Sequence, residues 1–256
     1  MSGSILLSRR TLIGSLGASA GGLLLSGCDA LGANEGFRGV LRSGESLTYA
    51  TQRLVSDRNA LAREFAEAEM SPVFRANGNI MPASADYAAH LATRFADWRL
   101  VVDGLVARPL AIPLAALMAM PQRAQITRHD CVEGWSAIGK WQGPKLAHIL
   151  SLARLLPSAR YIVFHCADSF GDHPYYESID LVDALHPQTI LAWRMNDAPL
   201  PVAHGAPIRV RVERQLGYKQ AKYVMRIEAR ASLMGLYRGH GGFWEDDSGY
   251  QWYAGI

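Results

Sequence analysis

The sequence predicts an α+β domain, in which short helices and strands of mixed orientation follow one another along 256 residues. Apolar residues recur with helical period in some segments and alternate, or form short β-branched runs, in others. These segments do not follow the regular strand–helix order of a parallel sheet. The sequence also contains no glycine-rich dinucleotide fingerprint and no phosphate-binding P-loop, which many doubly wound folds carry.

The composition is that of a globular protein with one sizeable core. Hydrophobic residues make up 49% of the chain and charged residues 19%. The net charge of +3 is spread along the sequence, without a run of lysines and arginines or a nucleic-acid-binding motif. We therefore expect no nucleic-acid partner.

Residues 1–28 are predicted to be an export signal. Arg9 and Arg10 form a twin-arginine pattern, which is followed by an apolar run too short and too glycine-rich for a membrane-spanning helix. The run ends in a lipobox-like sequence at Cys28, so we expect this cysteine to be lipidated and to provide the only membrane contact. An uncleaved N-terminal anchor is the alternative. Both predict a periplasmic protein that is exported after folding.

Two further parts are predicted after the signal. Residues 29–70 are interpreted as a tether and a polar N-terminal helix, in which Leu54, Leu61 and Phe65 give only partial amphipathic spacing and loose packing. Residues 71–256 are predicted to form the catalytic domain. This domain begins with a loop over residues 71–79, whose Arg75, Asn77 and backbone amides suit an anion.

The remaining elements follow from local periodicity and from breakers. Residues 139–145 are interpreted as a basic, glycine-containing turn, and the last two strands are expected to pair with each other around residues 215–219. The aromatic tail over residues 241–253 either closes the domain or forms one wall of a substrate funnel. The predicted helices cover residues 87–95, 114–120, 145–156 and 180–186, and the predicted strands cover residues 98–104, 124–129, 160–166, 189–195, 208–213 and 223–229.

Cys131 is the candidate around which the chemistry is arranged. It lies between a predicted strand and a turn, with Arg128 and His129 before it and Glu133 after it. Positive neighbours favour the thiolate, which is the form that attacks electrophiles or binds soft metals. With Cys28 lipidated, only Cys131 and Cys166 remain. They could pair in an oxidising compartment, but a ligand role for one of them is the sharper hypothesis.

Three segments, in order, resemble the sulfite-oxidase-like molybdopterin enzymes, and above all the bacterial branch that includes the periplasmic methionine sulfoxide reductase catalytic subunit. Residues 131–136 are similar to the molybdenum-cysteine segment of that branch. Residues 201–209 resemble its pterin-binding segment, in which His204 and Arg209 are matched. Residues 214–222 resemble the loop that holds the cofactor phosphate. The likeness extends from about residue 71 to residue 231.

The resemblance implies a sulfite-oxidase-type fold with mixed β-sheets and a molybdenum–molybdopterin cofactor. Cys131 would be the metal ligand, because molybdenum accepts dithiolene sulfurs together with one protein thiolate. Glu133 and Trp135 would complete the catalytic set, with Glu133 handling protons. The cofactor-binding residues would be Phe74, Arg75, Asn77, Cys166, His204, Arg209, Gly217, Tyr218, Lys219 and Lys222.

The chain also departs from the animal and plant members of this family. We expect neither their immunoglobulin-like dimerisation domain nor a haem, since there is no Cys-x-x-Cys-His motif. These expectations imply a monomer that exchanges electrons with a separate cytochrome or a membrane haem or quinone partner. Glu133 would repel a sulfite dianion, which favours another small oxo substrate.

The predicted function is oxygen-atom transfer in the periplasm, in the direction of reducing an S-oxide or N-oxide. Three alternatives remain at this point. A sulfite dehydrogenase would share the fold, and a non-enzymatic lipoprotein would keep the fold as a binding module without molybdenum. A cysteine hydrolase would use Cys131 with His129 or His165 as its base, within hydrogen-bond reach.

Overall fold

The computed structural model describes residues 34–256, and the predicted export signal and Cys28 lie outside these described residues. The chain divides into two units, Met1–Val55 and Ser56–Ile256. Within the described part, the first unit contains helix α1, Glu35–Val55. The side chain of Asn34 accepts a hydrogen bond from the Phe37 N–H at 3.0 Å, which satisfies one of the free amides at the start of this helix.

Residues 56–70 belong to the second unit, although the sequence assigned them to a tether. The Phe65 N–H donates to the Ile126 carbonyl oxygen at 2.9 Å, and the Ala62 N–H donates to the Gln188 side chain at 2.8 Å. These hydrogen bonds attach the segment to the second unit, while its apolar side chains remain loosely packed, since Leu61 is 59% exposed. Leu61 and Phe65 lie outside α1, so they do not extend its apolar pattern.

The second unit is built from short helices and eleven described strands. Its helices are α2, Ala85–Ala92; α3, Leu114–Ala119; α4, Leu146–Ala153; α5, Leu181–Ala184; and α6, Phe243–Ser248. Its strands are β1, Arg99–Gly104; β2, Leu110–Pro113; β3, Gln122–Cys131; β4, Trp135–Pro144; β5, Tyr161–Phe170; β6, His173–Asp180; β7, Ile190–Ala192; β8, Arg194–Met195; β9, Ala198–Pro199; β10, Arg209–Arg211; and β11, Val224–Arg230. Short 3-10 turns cover Glu67–Glu69, Val202–His204 and Gly217–Lys219.

Three sheets organise these strands. The largest has the order β2-β1-β11-β5-β6, in which only β1 and β11 run parallel. A second sheet has the order β3-β4-β8-β9, and β7 pairs with β10 in a two-stranded sheet. The mixture of parallel and antiparallel pairs with a few short helices confirms the predicted α+β class.

The main core lies between the large sheet and the helices that pack on it. On β1, Leu100 and Val102 are fully buried, as the alternation of a half-buried strand requires. On α4, Leu146, Ile149 and Leu150 are buried at helical spacing and pack in the same cluster. Among residues 34–256, no helix is both long enough and apolar enough to cross a membrane.

Strand β4 replaces the predicted turn over residues 139–145. Two glycines explain the difference, because they sit where the strand is approached closely. A Cβ on Gly139 would lie 3.0 Å from the Phe74 ring, and one on Gly143 would lie 1.9 Å from the Leu191 carbonyl oxygen. The glycines therefore allow close packing within a strand.

The other differences concern strand pairing. Strand β10 pairs with β7, and β11 lies between β1 and β5, so the predicted pairing of the last two strands is wrong. The predicted strand over residues 189–195 is divided at Trp193 into β7 and β8. Strand β6 was not predicted, because Glu177, Ser178 and Asp180 are buried polar residues that obscure its alternation.

Candidate active site

Cys131 is the last residue of β3, and a turn over residues 132–134 returns the chain into β4. The Gly134 N–H donates to the Cys131 carbonyl oxygen at 3.1 Å. Gly134 has a φ of +85°, a left-handed conformation that glycine adopts without the steric cost of a side chain. This tight turn places Cys131 and Glu133 on the wall of the same cavity.

The cavity is open to solvent and has a volume of about 150 Å³. Five parts of the chain that are remote in sequence form its wall. They are the β3–β4 turn (Cys131, Val132, Glu133), the loop before α2 (Asn77, Gly78, Asn79), the β5–β6 hairpin (Asp168, Phe170, Tyr175), the loop after β10 (Gly217, Tyr218, Gln220, Lys222) and the C-terminal segment (Trp244, Tyr250).

Burial raises the pKa of the Cys131 thiol, and Arg209 lowers it in part. The two neighbours expected to favour the thiolate do not do so. Arg128 lies on the exposed face of β3, where its guanidinium pairs with Asp130 at 2.9 Å. His129 is fully buried, and burial together with Arg211 holds its pKa well below its ordinary value, so its ring is neutral. A bound metal would therefore have to stabilise the thiolate.

His129 links three parts of the domain. Its Nδ1 lies 3.1 Å from Nη1 of Arg211, whose guanidinium pairs with Glu213 at 2.6 Å in a fully buried ion pair. On its other side, a Cβ on Gly217 would lie 2.5 Å from Nε2 of His129. The ring thus holds β3 against β10 and against the loop that lines the cavity.

Neither candidate base for a cysteine hydrolase is placed for that role. No hydrogen bond joins Cys131 to His129 or His165 within the described part of the chain. His165 pairs instead with Glu228 at 3.0 Å on the large sheet. Cys131 and Cys166 are both free thiols, so the disulfide alternative is not formed in the structure.

Lys222 joins the loop before α2 to the cavity wall. Its ammonium group donates to the carbonyl oxygens of Asn77 at 2.6 Å and Ala203 at 3.1 Å, and also to that of Asn79. Burial and Arg209 lower the pKa of Lys222 to about 7. Backbone carbonyl groups thus accept all three N–H donors of Lys222, so it offers an anionic group in the cavity a positive charge without a free donor.

Arg209 and His204 lie behind the wall and do not line the cavity. The fully buried Arg209 guanidinium donates to the His204 and Gln220 carbonyl oxygens, both at 3.2 Å, and lies over the Trp141 ring at 5.1 Å. Burial lowers the pKa of His204 to about 4, so it is neutral near pH 7. Nε of Arg209 and Nδ1 of His204 are buried without a described hydrogen-bond partner.

Lys219 is not placed to bind the cofactor phosphate, although the sequence predicted this role. Its side chain is completely buried, and its ammonium donates to Glu177 at 2.6 Å and to Glu245 at 2.5 Å. The two carboxylates hold the Lys219 charge away from the cavity. Its role in the structure is to connect the loop after β10 with β6 and α6.

The other predicted site residues divide between the cavity and its surroundings. Arg75 is exposed and Cys166 lies beside the Phe164 carbonyl oxygen, and neither lines the cavity. Phe74 and Trp135 pack behind it, with ring centres 6.0 Å apart. The predicted residues that do line the cavity are Cys131, Glu133, Asn77, Gly217, Tyr218 and Lys222.

Asp168 is a cavity residue that the sequence analysis missed. The register of β5 against β6 shifts between His165 and Ser169, and such a bulge re-aims side chains. Asp168 is only 4% exposed, and its Oδ1 has no described hydrogen-bond partner. Burial raises its pKa to about 6. An aspartate that follows the apolar run of β5 was the available signal in the sequence.

The residues present fit a molybdopterin. Cys131 offers a soft sulfur donor, which molybdenum accepts. The pterin is rich in hydrogen-bonding groups, and buried polar atoms without described partners lie at the wall or directly behind it: Asp168 Oδ1, Gln220 Oε1, His204 Nδ1 and Arg209 Nε. Lys222 provides a cation for the phosphate. The donor set therefore agrees with the expected cofactor.

Comparison with known proteins also indicates a molybdopterin-binding domain. A family model described as the oxidoreductase molybdopterin binding domain matches residues 88–233. A protein of Azospira oryzae named putative protein-methionine-sulfoxide reductase subunit YedZ1 is 38% identical over 238 residues, which cover 92% of this chain and 83% of that protein.

Two further proteins share parts of the chain. The protein-methionine-sulfoxide reductase catalytic subunit MsrP of Ralstonia nicotianae is 38% identical over 141 residues, covering 51% of this chain and 43% of that protein. The crystal structure of the sulfane dehydrogenase SoxCD from Paracoccus pantotrophus has a TM-score of 0.49 and 21% identity, and covers 54% of this chain and 39% of that one.

The family match spans more than half of the chain and includes Cys131, Asp168, Arg209 and Lys222. A molybdopterin-binding family is the one that the cavity, its sulfur donor and its buried polar atoms without described partners would suit. The match confirms the resemblance found in the sequence. The chain is an oxidoreductase enzyme that belongs to the sulfite-oxidase-like family of molybdopterin-binding proteins.

Proposed function

We propose that this enzyme reduces the S-oxide of methionine side chains at a molybdenum ion held by Cys131. The observation that carries the proposal is the Cys131 thiol on the wall of an open cavity, in a chain whose relatives are named methionine sulfoxide reductase subunits. The reaction converts the sulfoxide, two electrons and two protons into the thioether and water. One sulfur–oxygen bond breaks and two O–H bonds form.

When bound, molybdenum–molybdopterin supplies the two electrons and accepts the oxygen atom. The chain binds the cofactor, orients the sulfoxide and provides protons. Glu133 faces the cavity from the turn after Cys131, where the indole N–H of Trp135 donates to its carboxylate at 2.9 Å. This bond fixes the carboxylate beside the metal ligand, where it suits proton transfer.

The charges of the cavity favour a neutral sulfoxide over sulfite. Glu133 and Asp168 both line the wall, and a carboxylate repels a sulfite dianion. Lys222 is the cation on the wall in the described part of the chain, and the cofactor phosphate would neutralise it. A sulfoxide needs no counter-charge, so these charges oppose sulfite dehydrogenation.

The enzyme is further proposed to act in the periplasm as a monomer, after export through the twin-arginine route, with a lipid on Cys28. Its electrons would come from a separate cytochrome or from a membrane haem or quinone protein. The twin-arginine pattern supports export, the lipobox-like sequence before Cys28 supports the lipid, and the word subunit in the names of both relatives supports a separate electron partner.

The test is metal analysis of Cys131→Ser made in a molybdenum-replete host. Wild type should hold about one Mo per chain, and the variant should hold less, because one of the metal's sulfur ligands is lost. Cys166→Ser is the matched control and should retain its Mo. In wild type, electron paramagnetic resonance should show Mo(V) with a thiolate ligand.

The substrate is tested on the same preparations. Wild type should reduce methionine sulfoxide with an artificial electron donor and should not oxidise sulfite. A Mo(V) spectrum of Cys131→Ser identical to that of wild type would contradict the ligand assignment. Turnover of sulfite without any reduction of methionine sulfoxide would contradict the substrate.

A further inference from the structure

Five aromatic side chains gather on the cavity wall: Phe170, Tyr175, Tyr218, Trp244 and Tyr250. The rings of Trp244 and Tyr250 stack with centres 5.8 Å apart and planes at 25°. Tyr250 meets Tyr218 edge to face at 5.1 Å, and Trp244 lies 5.2 Å from Phe170. The C-terminal segment therefore supplies a continuous aromatic surface to the same cavity that contains Cys131.

This aromatic surface is suited to contact the alkyl groups on the sulfur atom of a sulfoxide. A methionine sulfoxide carries a methyl and a methylene group on sulfur, and both are apolar. Sulfur-bearing alkyl groups make favourable contacts with aromatic rings, whereas a small inorganic oxoanion has no apolar part to offer. Half-buried rings at an open cavity remain available for such a contact.

Glu245 holds this surface in place. It follows Trp244 directly, and its carboxylate accepts a hydrogen bond from the buried Lys219 at 2.5 Å, while Lys219 also donates to Glu177 at 2.6 Å. Lys219 follows Tyr218, which is itself on the wall. A Cβ on Gly242 would lie 2.1 Å from the Glu245 carboxylate, so glycine leaves room for this group.

Two further hydrogen bonds connect the loop after β10 with the C-terminal segment. The hydroxyl of Tyr218 donates to the Gln251 carbonyl oxygen at 2.7 Å, and the Leu216 N–H donates to the Ala254 carbonyl oxygen at 2.9 Å. The loop after β10 and the C-terminal segment thus form one wall. Lys219 stabilises this wall through its ion pairs with Glu177 and Glu245. This role explains why the lysine is buried and does not reach the cavity.

We propose that Trp244 and Tyr250 recognise the alkyl–sulfur part of the sulfoxide, and that Glu245 is a positioning residue that acts through Lys219. This inference rests on the proposed function, because it takes the substrate to be a sulfoxide. It adds contacts from the C-terminal segment to the cavity charges that favour an alkyl sulfoxide over an inorganic oxoanion.

The first experiment compares Trp244→Ala and Tyr250→Ala with the wild-type holoenzyme. For N-acetylmethionine sulfoxide, KM should rise roughly 5- to 20-fold while kcat stays within about twofold, since the aromatic contact binds the alkyl group and takes no part in oxygen transfer. Tyr237→Ala is the matched control, because Tyr237 is an exposed aromatic that packs against Tyr176 and does not line the cavity.

A binding measurement gives a readout that does not depend on turnover. N-acetylmethionine sulfone keeps the alkyl groups but is not a substrate, and calorimetric titration gives its Kd. The Kd should rise by the same factor as KM in both variants. Trp244→Phe keeps an aromatic face and should bind the sulfone within about threefold of wild type, which guards against a simple folding defect.

The positioning role is tested by rescue. Glu245→Gln keeps an oxygen that accepts from Lys219, so its KM and its sulfone Kd should stay near the wild-type values. Glu245→Leu loses the acceptor and should raise both roughly as Trp244→Ala does, with an unchanged Mo content. Equal values in the Gln and Leu variants would overturn the role of Glu245.

The outcomes separate this inference from the proposed function. A wild-type enzyme that reduces the sulfoxide, with KM and Kd unchanged in Trp244→Ala and Tyr250→Ala, would overturn the aromatic recognition alone. A wild-type enzyme that contains Mo and reduces no sulfoxide would overturn the proposed function.

Discussion

Lys219 and Lys222 lie three residues apart, yet their side chains have different surroundings. Lys222 reaches the cavity wall and donates to backbone carbonyl groups, whereas Lys219 is enclosed by the carboxylates of Glu177 and Glu245. Burial and the nearby Glu245 raise the pKa of Glu177 well above its ordinary value. At the scale of single residues, the partners of a charged side chain decide whether it can interact with a ligand in the cavity.

Asp168 gives a prediction at this scale. Because burial raises its pKa to about 6, ionisation costs free energy in the folded protein. The free energy of unfolding should therefore decrease as the pH rises from about 4 to about 6 in protein without cofactor. Asp168→Asn should remove this step and be about 2–3 kcal/mol more stable than wild type at pH 7.

Urea unfolding of both proteins between pH 4 and pH 8 measures this difference. Asp97→Asn is a control, since Asp97 is an exposed carboxylate outside the cavity. Parallel pH profiles of Asp168→Asn and wild type would refute the predicted cost of ionisation. The same substitution changes a cavity group, so the two proteins should also differ in cofactor content.

At the scale of elements, the β3–β4 hairpin and the turn Gly217–Lys219 meet at one close contact. Gly217 packs against the buried His129 ring, which is fixed on its other side by Arg211. This contact sets the separation between Cys131 and the loop that provides Tyr218 and Lys222. Because glycine has no side chain, the backbone at Gly217 can pack directly against the His129 ring.

Gly217→Ala should therefore weaken both the fold and the site. A Cβ there would lie 2.5 Å from Nε2 of His129, and the ring has little room to move because it is fully buried. Unfolding in urea should show a loss of about 1–3 kcal/mol, and the Mo content should decrease. Gly44→Ala is the control, because a Cβ there meets no atom within 4 Å. A Gly217→Ala protein as stable as wild type would contradict this account.

At the scale of the whole molecule, the chain divides at Val55 and Ser56. The second unit contains the three sheets, the cavity and all residues proposed to bind the cofactor. The first unit contains α1 and, beyond the described residues, the predicted export signal and Cys28. The candidate site and the proposed lipid attachment at Cys28 therefore lie in separate units of the chain.

A protein that begins at Ser56 tests this division. Produced in the cytoplasm, it should bind Mo and melt within about 2 °C of the full-length chain, because the core lies within the second unit. The full-length protein should be found in the membrane fraction and the shortened one in the soluble fraction. Loss of Mo from a folded shortened protein would show that residues 1–55 take part in the site.

The sequence alone determined the α+β class, most of the helices, and the family through Cys131, His204 and Arg209. It also predicts an exported N-terminus. These are local properties, since periodicity and motif spacing depend on neighbours along the chain. Only the tertiary structure decided that Lys222 reaches the cavity and Lys219 does not, that Asp168 joins the wall, and that β4 is a strand. Burial, charge pairing and close packing depend on residues that are remote in sequence, and local patterns do not record them.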